Sequence, residues 1–108
     1  MHEVEGGAAR ACLDDDFADF PCFSIMSALQ DGAELESRTL QRVLRCERAR
    51  LSGALARLEQ EGHLVVRYVS FNGAPGGWVR ATPRGQEAFA AHLQALREIV
   101  ALSGGQAL

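Results

Sequence analysis

All eleven basic residues of this chain are arginine. Nine of them lie between residues 36 and 84, opposed there by only four acids (Glu36, Glu47, Glu59 and Glu61), a local charge of +5 in a chain of net charge −3. Residues 1–35 run the other way, with Arg10 against eight acids. A guanidinium is a planar fork of donors that matches phosphate oxygens and the guanine edge. A basic block inside an acidic chain therefore points to contact with a polyanion through that block, although an arginine-only composition also follows from codon usage in a GC-rich genome. Catalytic chemistry has no footing. There is no Gly-x-Ser-x-Gly, no His-Glu-x-x-His and no phosphate loop ahead of a helix, so neither an enzyme nor a cofactor is expected. Cys12, Cys22 and Cys46 form no C-x-x-C pair, and His2, His63 and His92 are scattered, so no disulfide framework or metal site is expected.

The elements that must position those arginines can be read from the hydrophobic period. The chain has 108 residues, 47% of them hydrophobic, which is enough for one small core. No apolar run approaches the roughly 18–20 residues of a membrane span. The N-terminus lacks a signal-peptide pattern, so the expected compartment is the cytoplasm. Residues 1–16 read as an acidic segment, flexible or helical. Asp14, Asp15 and Asp16 suit a helix start or a solvated face. A helix is expected from Phe20 to Asp31, with Pro21 early and Gly32 ending it. Residues 33–35 read as a short strand that pairs with a later hairpin. Ser37 is expected to cap a helix reaching Leu44, with Leu40, Val43 and Leu44 inward.

The next helix, Glu47 to Glu61, carries Leu51, Leu55 and Leu58 on one stripe and is stopped by Gly62. Ala49, Gly53, Ala56 and Gln60 lie opposite that stripe, with Arg50 and Arg57 on a shoulder. A strand follows from His63 to Phe71, then a turn cluster from Asn72 to Gly77, and a return strand from Trp78 to Ala81. Thr82-Pro83 opens a last helix with Phe89, Leu93, Leu96, Ile99 and Val100 on one face, reaching about Leu102, and residues 103–108 read as a frayed tail. The fold class is α+β, mainly α: a winged helix-turn-helix with a two- or three-stranded wing, spanning residues 17–102.

The runs L-S-G-A-L-A-R-L-E-Q-E-G-H-L-V (Leu51–Val65) and T-P-R-G-Q-E-A (Thr82–Ala88) carry a family likeness. With them the chain resembles small bacterial winged helix-turn-helix regulators of the MarR/PadR/ArsR-like group, in particular the single-domain MarR-like type. The resemblance covers about residues 20–100. It implies a homodimeric transcriptional regulator, a repressor, that sets the 47–61 helix in the major groove of a near-palindromic operator. By position it implies DNA contacts from Arg48, Arg50, Ser52, Gly53 and Arg57 on the recognition helix and from Arg67, Asn72 and Arg80 on the wing. It also implies a dimer interface of Phe89, His92, Leu93, Leu96 and Val100 on the last helix. Two departures stand out: Cys22 occupies a place where relatives often carry a basic residue, and the wing tip Gly73–Gly77 has no Arg or Lys.

Two other readings stay open. An acidic N-terminus and an uncharged wing tip suit a winged helix that binds protein rather than DNA. Cys46, with Arg45 and Arg48 beside it, is either a small buried hydrophobe or the thiol of a redox-responsive regulator, a class that shades into metal-responsive ones. Tyr68 and Trp78 are expected to pack on the sheet.

Overall fold

A computed structural model describes residues 13–71 and 74–107. A single 3-10 turn, Asp15–Phe17, precedes helix α1 (Phe20–Leu29), strand β1 (Glu34–Glu36), helix α2 (Ser37–Leu44) and helix α3 (Arg48–Gln60). Strands β2 (Leu64–Phe71) and β3 (Ala74–Ala81) form the hairpin, and helix α4 (Pro83–Ala107) closes the chain. The sheet is antiparallel with order β1-β3-β2, so the expected short strand does pair with the hairpin, Leu35 opposite Val79. The four helices and three strands make the expected winged helix-turn-helix. No helix among the described residues is long and apolar enough to cross a membrane.

One core joins these elements. Ile25, Met26 and Leu29 of α1 meet Leu40 of α2, the Leu51–Leu55–Leu58 stripe of α3, Val79 of β3 and Phe89 of α4, all buried. The apolar stripe of α3 thus fixes which side of that helix is left outward. Phe17 belongs to the same core. Its ring packs 4.7 Å from His63, 5.3 Å from Phe89 and 5.4 Å from His92, centroid to centroid.

Several details differ from the sequence expectation. Helix α2 is preceded by Glu36, which makes no side-chain cap, and Ser37 is its first residue rather than its cap. The stretch Ala74–Gly77, read as turn, belongs to β3, with Ser70 opposite Pro75 and Tyr68 opposite Gly77. β1 pairs with β3 only from Trp78 to Arg80. Before Trp78, β3 is therefore an edge, where Pro75 needs no amide hydrogen for a second neighbour. Helix α4 does not end near Leu102 but runs through Ser103 to Ala107. Val43, expected inward, is exposed, and so is Tyr68 at 79% of its surface.

Both ends of the hairpin base are pinned. Gly62 takes φ +81° after α3, the left-handed conformation expected of a glycine stop. Thr82 Oγ1 donates to the Gly62 carbonyl at 2.6 Å and accepts from the Gly85 amide at 2.9 Å, capping α4 as its sequence suggested. Gly85 lies directly against the His63 carbonyl, with no room for a Cβ.

Candidate nucleic-acid interface

Because Leu51, Ala54, Leu55 and Leu58 face inward, α3 turns Arg48, Ala49, Arg50, Ser52, Gly53, Ala56 and Arg57 outward. Nothing lies within 4 Å of where a Cβ on Gly53 would stand. The outward side is thus a low surface of small side chains, over which another backbone can come close. Arg48 and Ser52 also line a groove of about 620 Å³ between α3 and the hairpin, closed by Glu36, Ser37, Arg38 and Gln41 on one side and by Val66, Tyr68 and Gly77 on the other. Glu59 lies in this groove and accepts the Val66 amide at 3.1 Å.

The arginines singled out from the sequence do not stand equally free. Arg50 leans over the half-exposed Phe20 ring, 5.8 Å from guanidinium carbon to ring centroid, a cation–π contact. Arg57 is turned toward the N-terminal acids. Its Nη2 lies 3.8 Å from Asp16 Oδ1 and donates to the Asp15 carbonyl at 3.4 Å, and its Nη1 lies 3.8 Å from Asp19 Oδ2. Arg67 makes a two-pronged pair with Glu34, Nη2 to Oε1 at 2.9 Å and Nε to Oε2 at 3.3 Å. Those hydrogen bonds hold the Glu34 carboxyl below its ordinary range and raise the Arg67 guanidinium above its own. Arg80 is exposed on β3 between Glu34 of β1 and Val65 of β2. Asn72 lies outside the described residues.

Three further arginines, which the sequence reading did not single out, flank this surface. Arg38 and Arg42 stand at i and i+4 on the exposed side of α2, Arg45 follows at its C-terminal end, and the three border one depression with Gln41 and the buried Cys46. Their spacing is the signal that could have found them. Arg45 has φ 52° and ψ 45°, the one non-glycine residue at positive φ among the described residues. For an L-residue that conformation costs on the order of 1 kcal/mol.

The assumed dimer residues divide. Phe89 and His92 are buried in the chain's own core, so they are not available to a second copy. Leu93 and Leu96 are half-buried, and Val100 is exposed. Beyond Ala95 no residue of α4 whose side chain is described is buried. Burial pushes the His92 imidazole below its ordinary value, and its Nδ1 accepts the Asp14 amide at 3.0 Å.

The N-terminal turn gathers the remaining titratable groups. His63 is buried, and its Nε2 lies 2.9 Å from Asp16 Oδ2. The other ring nitrogen, Nδ1, is left without a partner among the described residues. Asp14, Asp16 and His63 bring ligand-type atoms within 4.8 Å of one another. Asp16 already meets His63 and Arg57, and Asp14 Oδ1 accepts the Asp16 amide at 2.9 Å, so ordinary hydrogen bonding accounts for the grouping. Cys22 and Cys46 are both buried free thiols. Burial, reinforced by a hydrogen bond with Asp19, pushes the Cys22 thiol up to about 12, far from a reactive thiolate.

A family model described as a winged helix DNA-binding domain matches residues 22–100. Among solved structures, a transcriptional regulator homologue from Pyrococcus horikoshii OT3 aligns with a TM-score of 0.76 at 20% identity, covering 93% of this chain and 95% of that one. NadR, solved in complex with 4-hydroxyphenylacetate, aligns at 0.64 and 19% identity, over 96% of this chain and 71% of that one. The PcaV transcriptional regulator from Streptomyces coelicolor, solved with its natural ligand, aligns at 0.62 and 17% identity, over 98% of this chain and 78% of that one. At such identities the likeness is one of fold. No curated protein matches the sequence.

Proposed function

Since the chain belongs to the winged helix DNA-binding domain family, we propose that it is a sequence-specific, homodimeric transcriptional regulator of the MarR-like type, a repressor acting in the cytoplasm. The observation that carries this reading is the outward side of α3, where Arg48 and Ser52 stand beside an open Gly53. A helix entering the major groove needs a low face for close approach and a few long donors for base edges. Arg48 supplies the donor fork, Ser52 a hydroxyl, and Arg50 a guanidinium at the edge of the face. Arg57 and Arg67 reach phosphates only by leaving Asp16, Asp19 and Glu34. Arg80 and Asn72 are assigned to the flanking backbone.

The second copy docks along α4. Leu93, Leu96, Ile99 and Val100 lie at helical spacing where α4 leaves the core, the first three only partly buried and Val100 exposed, and an apolar face of that kind is covered by association.

Selection of bound duplexes from a random pool tests the reading. The expected result is an inverted repeat with half-sites about 10 base pairs apart, or a multiple of that. Arg48→Ala should weaken binding to the selected site about tenfold or more, at roughly 1–3 kcal/mol per good base contact. A pool that shows no enrichment and no retained duplex overturns it. One feature favours the rival reading of a protein-binding winged helix: Glu36 and Glu59 line the groove beside α3. That reading predicts no enrichment at any salt concentration.

A further inference from the structure

We propose that the acidic turn ahead of α1 is a built-in brake on DNA binding, which withholds Arg57 of α3 from phosphates by offering its guanidinium carboxylate and carbonyl oxygens instead. This rests on the DNA-binding reading above and adds to it an intramolecular competitor for the duplex.

Three observations converge on the turn. It supplies acceptors to both terminal nitrogens of one guanidinium. Arg57 Nη2 donates to the Asp15 carbonyl at 3.4 Å and lies 3.8 Å from Asp16 Oδ1, while Nη1 lies 3.8 Å from Asp19 Oδ2. The same two nitrogens would otherwise meet the oxygens of a phosphate. Among the described residues the other α3 arginines, Arg48 and Arg50, make no ion pair, so the restraint falls on Arg57.

The acids are also fixed in place. The Asp14 amide donates to His92 Nδ1 at 3.0 Å, Asp16 Oδ2 lies 2.9 Å from His63 Nε2, and Phe17 is buried against both imidazoles. Both histidines belong to the interior, so the turn is anchored beside the last turn of α3 that carries Arg57. A competitor held on the same chain acts at a high effective concentration, and exposed pairs that are weak singly can then oppose a phosphate. A duplex that takes Arg57 must break those pairs and bring its own charge beside Asp16 and Asp19. Finally, the acids lie outside the family pattern, whose matched span begins at residue 22. A phosphate contact carries no base information, so the brake lowers affinity for every duplex and leaves base readout by Arg48 and Ser52 unaltered.

The test is fluorescence anisotropy with the full chain and a mixed-sequence duplex of about two helical turns, titrated across salt. The variants are Asp19→Asn, Asp16→Asn with Asp19→Asn, Arg57→Gln, and Arg57→Gln with both acid changes. Asparagine keeps an oxygen for His63 and removes only the charge. The double acid variant should bind about 3- to 10-fold more tightly at low salt. Its slope of log affinity against log salt should steepen by about 0.9, as Arg57 neutralises one more phosphate. Asp19→Asn, whose exposed carboxylate makes no bond to His63, should shift both in the same direction by less, so the test stands even if Asp16→Asn disturbs folding. Arg57→Gln should keep the wild-type slope, and the acid changes should leave that slope where it is. Acid variants that match wild type overturn the brake. So does a slope about 0.9 shallower in Arg57→Gln alone, which means that Arg57 already holds a phosphate. An equal gain with and without Arg57 reduces the effect to net charge and overturns it too. In these three cases duplex is still bound, and the regulator reading stands. A duplex bound by the acid variants but not by wild type supports both, and binding by none overturns both.

Discussion

Replacing Gly53 with alanine should move stability and DNA affinity in opposite directions. Gly53 lies in the interior of α3, and a methyl group there meets nothing within 4 Å. The substitution therefore removes only the glycine penalty of a helix interior, about 0.8–1.0 kcal/mol, through reduced freedom of the unfolded chain. For a domain of this size that corresponds to a rise in melting temperature of about 4–8 °C. In the proposed complex the same methyl group stands between the α3 backbone and the groove floor. Lifting the helix weakens the base contacts of its neighbours Arg48 and Ser52, at about 1–3 kcal/mol for each good contact. Affinity for the selected site should fall about 10- to 100-fold. No charge changes, so the salt slope should match wild type, which separates this effect from weakened phosphate binding. Thermal melts and anisotropy on one preparation measure both quantities. A variant that is more stable and binds with undiminished affinity would refute the close approach of α3. A less stable variant would refute the open face itself.

Three further outcomes follow from the packing. Gly85→Ala drives a Cβ into the His63 carbonyl, a backbone atom held between α3 and the hairpin, and should cost about 3 kcal/mol or more, read by urea unfolding. His92 has a folded-state pKa below its unfolded value, so the stability it contributes is fully present above pH ~6.5 and is lost as pH falls through the folded value. Replacing it with glutamine, which keeps an acceptor for the Asp14 amide, should flatten the melting-temperature profile in that acidic window; an unchanged profile would rule His92 out as its source. Cys22 and Cys46 should resist alkylation in the native protein and react on unfolding, as mapped by mass spectrometry. Rapid native labelling of either would reopen the redox-responsive reading.

Much of this architecture is legible along the chain, because the elements announce themselves locally. The Leu51–Leu55–Leu58 stripe orients α3 before any partner is known, and Thr82-Pro83 marks the start of α4 by capping chemistry alone. The site is less legible because charge pairing is not local. Arg57 looks like a free donor on a helix shoulder until the fold brings Asp16 and Asp19 to it, 41 and 38 positions earlier in the chain. Arg67 is captured by Glu34 through the sheet register, which sets β1 and β2 on either side of β3. Phe89 and His92 share a helix face with Leu93 and Leu96, and periodicity cannot tell which part of a long face is covered by the chain's own core. Ala74–Gly77 misled for a different reason: Gly and Pro signal a turn by conformational preference, but an edge position tolerates both.

The position of Phe17 bears on what counts as the heritable unit here. The family match begins at residue 22, yet Phe17 fills the space between His63, Phe89 and His92, five positions upstream. A fragment trimmed to the matched span would lose the ring and the turn that carries it, and emptying a buried phenylalanine site costs about 3–5 kcal/mol. In a protein this small, that is a large share of the roughly 5–15 kcal/mol that separates folded from unfolded. When the module is moved between proteins, cut for expression or joined to a fusion partner, the seam therefore belongs before Asp14, whose carboxylate caps the turn that carries Phe17, rather than at the edge of the recognisable pattern.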